Sequence, residues 1–302
     1  MKILVTGAGG QLASEIRDIV DAASSDIGPI PDLYQGAQFD FASHADLDIS
    51  DASAIVGWFE ERGPYDLVIN CASFTNVDGC EENEALAYKV NALGAYYLAG
   101  EVEKCRGKLV HISTDYVFPG TERSPRSEGD LACPISAYGR SKWAGEVLVT
   151  STCSHSYIVR TAWLYGRTGS NFVRTMLRLA AANGTISVVN DQFGNPTYAN
   201  DLAHEILRIS ATDSYGLYHC TSEGTCSWYD FACAIVDSAG IECEREGISS
   251  DEYKKRFPKS ASRPAFSSLD NARLKETIGN QMRSWQDALA SFMEKGGPDA
   301  VE

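Results

Sequence analysis

Residues 1–15, MKILVTGAGGQLASE, join a short apolar run to a glycine-rich turn and the start of an apolar periodicity, and they decide the fold. The run from Lys2 to Thr6 predicts a fully buried strand. Apolar residues then recur at helical spacing: Leu12, Ile16, Ile19 and Val20. Gly7 and Gly10 let the backbone turn tightly and approach a diphosphate, whose charge the N–H groups of a helix start can meet. With its spacing G-x-x-G-x-x-A, this stretch predicts a dinucleotide-binding unit.

Strand and helix patterns alternate along the first 160 residues. Further buried strands are predicted at 38–42, 64–70, 108–113 and 155–161, and helical patterns separate them. Such alternation is typical of an α/β fold with a doubly wound parallel sheet. We therefore expect a Rossmann domain over 1–165 and a smaller, mainly substrate-binding lobe over 166–302, with some segments of the lobe returning to the first domain.

Three segments have less regular patterns. Residues 21–37 are rich in Pro, Gly, Ser and Asp and predict a long surface loop, and the polar residues 244–262 predict another loop. In the helix predicted over 82–102, the apolar stripe expected to face the core is Leu86, Val90, Leu93 and Tyr97. Asn91 lies beside this stripe and is either solvated or directed toward the active site.

A possible proton-transfer pair lies in the segment SAYGRSK, residues 136–142. On a helix, Tyr138 and Lys142 share one face, and a nearby cation favours the phenolate and so lowers the tyrosine pKa. Thr114 follows the strand 108–113, where its hydroxyl can reach a ligand. Tyr-x-x-x-Lys is a weak motif by itself, but beside a dinucleotide turn it makes Tyr138, Lys142 and Thr114 the catalytic candidates.

The end of the second strand bears on which dinucleotide binds. A carboxylate there would bind the ribose 2′-hydroxyl of NAD and repel the 2′-phosphate of NADP. The chain instead reads Ser43-His44, so NADP(H) is favoured as the cofactor and NAD(H) stays possible. After the third strand, the segment 71–75 is expected to permit close approach of this cofactor; it includes Ala72, Ser73, Phe74 and Thr75.

Composition narrows the classes of partner. A net charge of −15 argues against nucleic-acid and membrane-surface partners, because both require a basic patch. No segment approaches the roughly 18 apolar residues of a membrane span, and the apolar run at the N-terminus is too short for a signal peptide, so a cytoplasmic location is expected. The nine cysteines contain no C-x-x-C pair and the five histidines no H-x-x-x-H pair, which predicts reduced core thiols and no structural metal.

Together these motifs resemble the extended short-chain dehydrogenase/reductases, and more narrowly the dTDP-4-dehydrorhamnose reductase family. The matching segments, in order along the chain, are MKILVTGAGGQLASE, LDISD, VINCASFTNVD, HISTDYVFPG, AYGRSKWAGE, VRTAWLYG, NFVRTMLRLA, NDQFGNPT and RPAFSSLD. The resemblance implies NADPH-dependent reduction of the C4 ketone of dTDP-4-dehydro-L-rhamnose, with Tyr138 donating the proton.

The resemblance also implies roles for individual residues. Gly10, Gln11 and Leu12 would line the cofactor diphosphate, Asp48 and Ile49 the adenine, and Ser73 to Thr75 its inner edge, while Lys142 would also hold the nicotinamide ribose. Thr114, Asp115 and Trp163 would contact the sugar, and Asn171, Arg178 and Arg263 are candidates for the nucleotide diphosphate. Some members bind Mg²⁺ between subunits. Glu15 matches one of those positions, but Asn200 and Lys295 stand at the others, so we expect no metal and a monomer or weak homodimer.

Two alternative functions stay open. One is a nucleotide-sugar dehydratase or epimerase of the same fold; a dehydratase would use an adjacent Asp-Glu pair after the threonine, whereas this chain has Asp115-Tyr116. A non-catalytic NADP-binding subunit resembling the methionine adenosyltransferase β subunit would not need Thr114, Tyr138 and Lys142 together. The C4 epimer of the product, rhamnose or 6-deoxytalose, is also open.

Overall fold

The central feature of the computed structural model, which describes residues 1–296, is a parallel sheet of six strands in the order β2-β1-β3-β4-β5-β10. These strands are Lys2–Thr6 (β1), Gln38–Ala42 (β2), Leu67–Asn70 (β3), Lys108–Thr114 (β4), Ser156–Thr161 (β5) and Gly216–His219 (β10). The strand order reverses between β1 and β3, and such a reversal opens a crevice at the carboxyl ends of the strands. The predicted doubly wound α/β fold is confirmed.

Helices cover both faces of this sheet. In the first half of the chain they are Gln11–Ala22 (α1), Ala52–Arg62 (α2), Val77–Glu82 (α3), Glu84–Tyr88 (α4), Ala95–Cys105 (α5) and Ala137–Thr152 (α6). The second half of the chain contains further helices, of which α8 packs on this sheet: Phe172–Asn183 (α7), Ala199–Ser210 (α8), Trp228–Ser238 (α9), Ser250–Arg256 (α10), Ala272–Ile278 (α11) and Trp285–Glu294 (α12). Helices α1 and α8 bury their apolar sides on one face, and α2, α5 and α6 cover the other.

A second apolar core lies in the C-terminal part of the chain. Helices α7, α9 and α12 pack there around a parallel pair of strands, Thr185–Val189 (β7) and Glu244–Ile248 (β12). Short two-residue strands complete this part: Leu164–Tyr165 (β6), Phe193–Gly194 (β8), Thr197–Tyr198 (β9) and Cys226–Ser227 (β11). Strand β10 and helix α8 belong to the first core although they lie beyond residue 165. Within residues 1–296 no helix has both the length and the apolarity needed to cross a bilayer.

The prediction for residues 82–102 was partly right: the segment is helical, and Val90 and Tyr97 of the predicted stripe pack against the core, but Leu86 and Leu93 do not. A π-helical turn, Lys89–Gly94, separates α4 from α5 and adds a residue that breaks the 3.6-residue period. Leu86 and Leu93 are therefore 39% and 41% exposed, while the buried positions fall elsewhere in the segment. These are Ala87, Asn91, Ala92, Ala95, Leu98, Ala99 and Val102.

The two predicted loops were also only partly right. Residues 244–262 contain β12 and α10, because the charged strand Glu244–Ile248 pairs along β7 and leaves its acidic side chains in solvent. Residues 21–37 hold a 3₁₀ turn, Asp32–Tyr34, rather than a wholly exposed loop. The Tyr34 ring is buried, and its hydroxyl contacts the Leu207 carbonyl at 2.9 Å.

Candidate active site

A cleft of about 550 Å³ lies at the carboxyl ends of β1, β3, β4 and β5. Residues from the glycine turn, from the segment after β3 and from both lobes line it. Among them are the predicted residues Gly10, Gln11, Leu12, Ser73, Thr75, Thr114, Asp115, Tyr138, Lys142 and Trp163. The fold therefore brings the glycine turn and the predicted catalytic side chains into one space.

The glycine turn requires the conformation that glycine permits. Gly7 has φ +70°, and a Cβ on it would lie 2.8 Å from the backbone nitrogen of Ala72. Gly10 is the N-cap of α1 and offers no side-chain cap, and the first turn of this helix contains no acidic residue. The N–H groups at the start of α1 are thus available to an anion, and the helix dipole favours negative charge there.

A chain of hydrogen bonds links the polar side chains at the end of β4. The Thr114 hydroxyl accepts from the Tyr116 backbone nitrogen at 3.2 Å and donates to Asp115 Oδ1 at 2.9 Å, and the Tyr138 side chain lies next to Thr114. Asp115 Oδ2 is buried and has no hydrogen-bond partner in the described chain. Asp115 can therefore still accept a hydroxyl from a ligand.

Burial dominates the protonation of this cluster. It raises the pKa of Tyr138, and the nearby Thr114 hydroxyl offsets only part of that effect. The lowering that the Tyr138–Lys142 spacing predicts is thus not found in the chain without a ligand. Burial also lowers the pKa of the Lys142 ammonium to about 8, against the attraction of Glu146, and this ammonium donates to the Ile112 carbonyl at 2.5 Å.

Asn91 has a positioning role that sequence reasoning left open. Its Oδ1 accepts from the Ser73 hydroxyl at 2.9 Å and from the Phe74 backbone at 2.8 Å. Its Nδ2 donates to Ser141 Oγ at 3.0 Å, on the helix that carries Tyr138. A buried amide in an otherwise small and apolar helical segment was the available signal. Asn91 therefore holds the segment after β3 against α6.

The remaining predicted cofactor residues lie around the cleft without lining it. Asp48 accepts from the Ser50 backbone at 2.9 Å, and Ile49 is buried against the π-helical turn at Gly94. Ala72 backs the glycine turn, and Phe74 packs beside the Tyr138 ring.

The three candidates for the nucleotide diphosphate differ from one another in position. Asn171 is the N-cap of α7 and donates to Gln11 Oε1 and to the Gly166 carbonyl, both at 2.9 Å, so its amide is already used. Arg178 is exposed on α7 and lines neither this cleft nor the cavity described next. Arg263 lies beside the cleft, next to Tyr116, and is paired with Asp78 at 3.2 Å.

A second cavity of about 410 Å³ shares one wall with the cleft, and that wall is Trp228. Its ring stacks on Trp163 with centroids 3.5 Å apart and an interplanar angle of 7°. Trp163 has φ +46°, a backbone conformation that is costly for a bulky residue. Its ring packs directly on Gly194, where a Cβ would lie only 2.6 Å from the ring. The remaining lining is mostly apolar and also includes Gln192 and Arg263. The sequence interpretation missed Trp228, since a tryptophan at the start of an amphipathic helix is usually a core residue.

The position that resembles a Mg²⁺ ligand does not fit a metal in this chain. Both oxygens of the Glu15 carboxylate accept hydrogen bonds, from Arg167 and from Asn200. The Lys295 ammonium pairs with Asp26 at 2.6 Å and brings a positive charge to the same region. Across residues 1–296, three or more His, Cys, Asp or Glu side chains do not gather in a set that could hold a metal ion.

Comparisons with known proteins agree with this geometry. A family model described as the RmlD substrate binding domain matches residues 1–297. The spore coat polysaccharide biosynthesis protein SpsK of Bacillus subtilis is 39% identical over 97% of both chains. The crystal structure of a dTDP-4-dehydrorhamnose reductase from Clostridium acetobutylicum is 41% identical with TM-score 0.90, over 98% of this chain and 99% of that one. The dTDP-4-dehydrorhamnose reductase of Bacillus anthracis, in complex with NADP, is 35% identical with TM-score 0.89, over 97% and 99%. The resemblance is confirmed, and the chain belongs to the dTDP-4-dehydrorhamnose reductase (RmlD) family of extended short-chain dehydrogenase/reductases.

Proposed function

We propose that this protein reduces the C4 ketone of dTDP-4-dehydro-L-rhamnose to give dTDP-L-rhamnose, with NADPH as the reductant. The observation that carries the proposal is the contact of Tyr138 with Thr114 in the same cleft as Lys142 and the glycine turn. Family membership supports the reaction class, and the NADP bound to the Bacillus anthracis relative supports the cofactor.

The residues around the glycine turn fit a dinucleotide. The N–H groups of Gln11 and Leu12 would hold the diphosphate, because they have no capping side chain in the described chain and lie at the positive end of the helix dipole. The Gly10 N–H already donates to the Gly7 carbonyl at 2.8 Å. Lys142 would hold the nicotinamide ribose. When bound, NADPH supplies the hydride. Just after β2, the Asp46 carboxylate accepts hydrogen bonds from both the backbone nitrogen and the hydroxyl of Ser43. This carboxylate is therefore already hydrogen-bonded within the protein.

Tyr138 is the proton donor in this proposal. Burial keeps its phenol protonated at neutral pH, and a ketone oxygen placed beside Tyr138 and Thr114 would receive the proton. The positive charge of Lys142 would stabilise the phenolate left behind, since opposite charges interact strongly at a buried site. Asp115 has an unpartnered carboxylate oxygen that would accept a hydroxyl of the sugar.

The nucleotide end of the substrate would extend toward the second cavity. Arg263 lies between the cleft and this cavity, and a guanidinium suits a diphosphate because it offers several donors in one plane. Trp163 and Trp228 form the aromatic wall between the two spaces, where a sugar ring can pack. Neither Asn171 nor Arg178 takes part in this placement, because the first is bonded internally and the second is outside both spaces.

The decisive experiment supplies purified protein with dTDP-4-dehydro-L-rhamnose and either NADPH or NADH. We expect loss of the 340 nm absorbance of the reduced nicotinamide in a one-to-one ratio with product, and a rhamnose C4 configuration by NMR. A 6-deoxytalose product would correct the epimer and keep the reaction class. Absence of turnover with both cofactors, together with intact NADPH binding, would favour the non-catalytic subunit. Product formed without net loss of reduced cofactor would indicate a dehydratase or epimerase.

A further inference from the structure

The segment 166–171, which we call the clasp loop, crosses from the C-terminal lobe onto the first turns of α1. Gly166 lies against this helix: a Cβ on it would be in van der Waals contact with the Gln11 Cβ, at 3.5 Å. Gly169 and Ser170 line the catalytic cleft beside the glycine turn. The clasp loop therefore covers the part of the cleft where the cofactor diphosphate is expected.

One buried carboxylate holds most of this loop. Glu15 on α1 is 1% exposed, and its two oxygens accept four hydrogen bonds. Three come from Arg167, through the backbone nitrogen at 3.2 Å, Nε at 3.1 Å and one terminal nitrogen at 2.5 Å. The fourth comes from Asn200 Nδ2 at 3.0 Å. A second tie, from Asn171 to Gln11, fixes the other end of the loop to the same helix.

The charge of Glu15 matters because of where it lies. The carboxylate belongs to the second turn of α1, about 7 Å along the axis from the N-cap Gly10. An uncompensated anion there would oppose a diphosphate bound at the helix start. Of the described residues that line the cleft, Lys142 alone is cationic, and the chain as a whole carries −15. Arg167 is the group that neutralises Glu15 at this end.

We propose that Glu15 and Arg167 are positioning residues for the cofactor: their ion pair holds the clasp loop over the diphosphate and removes the opposing charge from α1. This inference rests on the proposed use of NADPH. It assigns the pair a task in cofactor affinity and none in the chemical step. Loss of the pair should therefore change the Kd for NADPH and the KM for NADPH, and leave kcat at saturating cofactor nearly unchanged.

The test compares Arg167→Met with the double variant Glu15→Gln/Arg167→Met. The Kd for NADPH is measured by energy transfer from tryptophan to the nicotinamide, which requires no turnover. The matched control is Arg283→Met, which breaks an ion pair with another fully buried carboxylate, Asp201 on α8, at 2.6 Å. The melting temperature of each variant is recorded alongside.

We expect Arg167→Met to weaken NADPH binding about tenfold, the order expected for one unpaired charge near a diphosphate at an effective dielectric constant of about 20. The double variant should recover part of this loss of affinity. It has no buried unpaired charge, so it should fold even where the single variant does not. Arg283→Met should lower the melting temperature with Kd within twofold of wild type. The proposal is overturned if the double variant and Arg167→Met both bind NADPH within twofold of wild type, or if Arg283→Met weakens binding equally. Failure of the wild type itself to bind NADPH would instead reject the proposed function.

Discussion

Two buried polar clusters lie one helical turn apart along α6 and differ in how fully their atoms are paired. In the ion-pair cluster, Glu146 accepts from Arg160 at 2.8 and 2.6 Å and from the Ser113 hydroxyl at 2.5 Å. Arg160 is 3% exposed, and its guanidinium also lies over the Phe118 ring. Each charge in this cluster has a partner, which is the condition under which a buried ion pair is tolerated.

The cleft cluster consists of Thr114, Asp115, Tyr138 and Lys142. Lys142 is 2% exposed and so is as deeply buried as Arg160 of the ion-pair cluster. In the described chain, however, its ammonium donates to a carbonyl and pairs with no carboxylate, and one oxygen of Asp115 has no partner. Unpaired buried groups reduce stability, and they also have shifted pKa values and free hydrogen-bonding capacity. The difference indicates that the ion-pair cluster serves the fold and the cleft cluster serves a ligand.

The largest effect should follow from removing the proton donor of the cleft cluster. Tyr138→Phe keeps the ring and its packing against Phe74, so we expect kcat to fall by about 10²- to 10⁴-fold while NADPH still binds. Steady-state kinetics with dTDP-4-dehydro-L-rhamnose and fluorescence titration with NADPH measure the two effects separately. Tyr96→Phe, at an exposed position, is the matched control and should leave both unchanged. A rate near wild type for Tyr138→Phe would remove Tyr138 from the mechanism.

The ion-pair cluster should respond in stability instead. Arg160→Met leaves Glu146 buried and unpaired, so we expect a loss of about 3–5 kcal/mol in the free energy of unfolding. Urea denaturation measures this loss, and the kcat of the folded protein should change less than threefold. Arg140→Met breaks the half-exposed pair with Glu84 and should cost less than about 1 kcal/mol. Equal losses of unfolding free energy for Arg140→Met and Arg160→Met would contradict the expectation that breaking the buried pair costs more than breaking the half-exposed one.

The sequence was sufficient to predict most of the cleft cluster because its residues follow local rules. Parallel strands buried on both faces appear as continuous apolar runs, and their carboxyl ends meet at one edge. Thr114 and the Tyr138–Lys142 pair could thus be proposed together from a strand end, helix periodicity and the dinucleotide turn, whereas Asp115 was implied only by the family resemblance. The same reasoning failed at the π-helical turn 89–94, because an extra residue in a helix leaves no mark in composition.

What the sequence could not show depends on contacts between distant segments. The bonds from Asn171 to Gln11 and from Arg167 to Glu15 join the two lobes across more than 150 positions. The rise in the pKa of Tyr138 likewise comes from burial, which the i, i+4 spacing cannot reveal. Strand β12 was missed because its side chains are mostly charged, and its pairing partner β7 lies some 60 residues earlier.

The pH dependence of kcat/KM sharpens the comparison through two groups of the cleft cluster. Burial raises the pKa of Asp115 to about 6, so its carboxylate becomes protonated, and stops accepting the sugar hydroxyl, as the pH falls through 6. Burial lowers the pKa of Lys142 to about 8, so its positive charge is lost as the pH rises through 8. We therefore expect a bell-shaped profile in which kcat/KM falls about tenfold per pH unit below pH 6 and above pH 8.

Asp115→Asn assigns the acidic limb. It cannot titrate, so its profile should lie below that of the wild type and be flat between pH 5 and 7, with the alkaline limb retained. Lys142→Arg keeps its charge to high pH and should lose the alkaline limb. An acidic limb that persists in Asp115→Asn would mean that another group, or the substrate, titrates near pH 6.

The smallest effect is expected at Arg263, which lies between the cleft and the second cavity. Its pair with Asp78 is partly exposed, so breaking it should change stability little. Arg263→Met should raise the KM for the dTDP-sugar about tenfold, the loss expected for one hydrogen bond to a charged group, with kcat and the KM for NADPH unchanged. Arg178→Met tests the alternative, since that arginine lies outside both spaces and should leave the KM for the sugar nucleotide at its wild-type value. If Arg178→Met raises that KM and Arg263→Met does not, the nucleotide runs along α7 instead of toward Trp228, and the second cavity has no part in substrate binding.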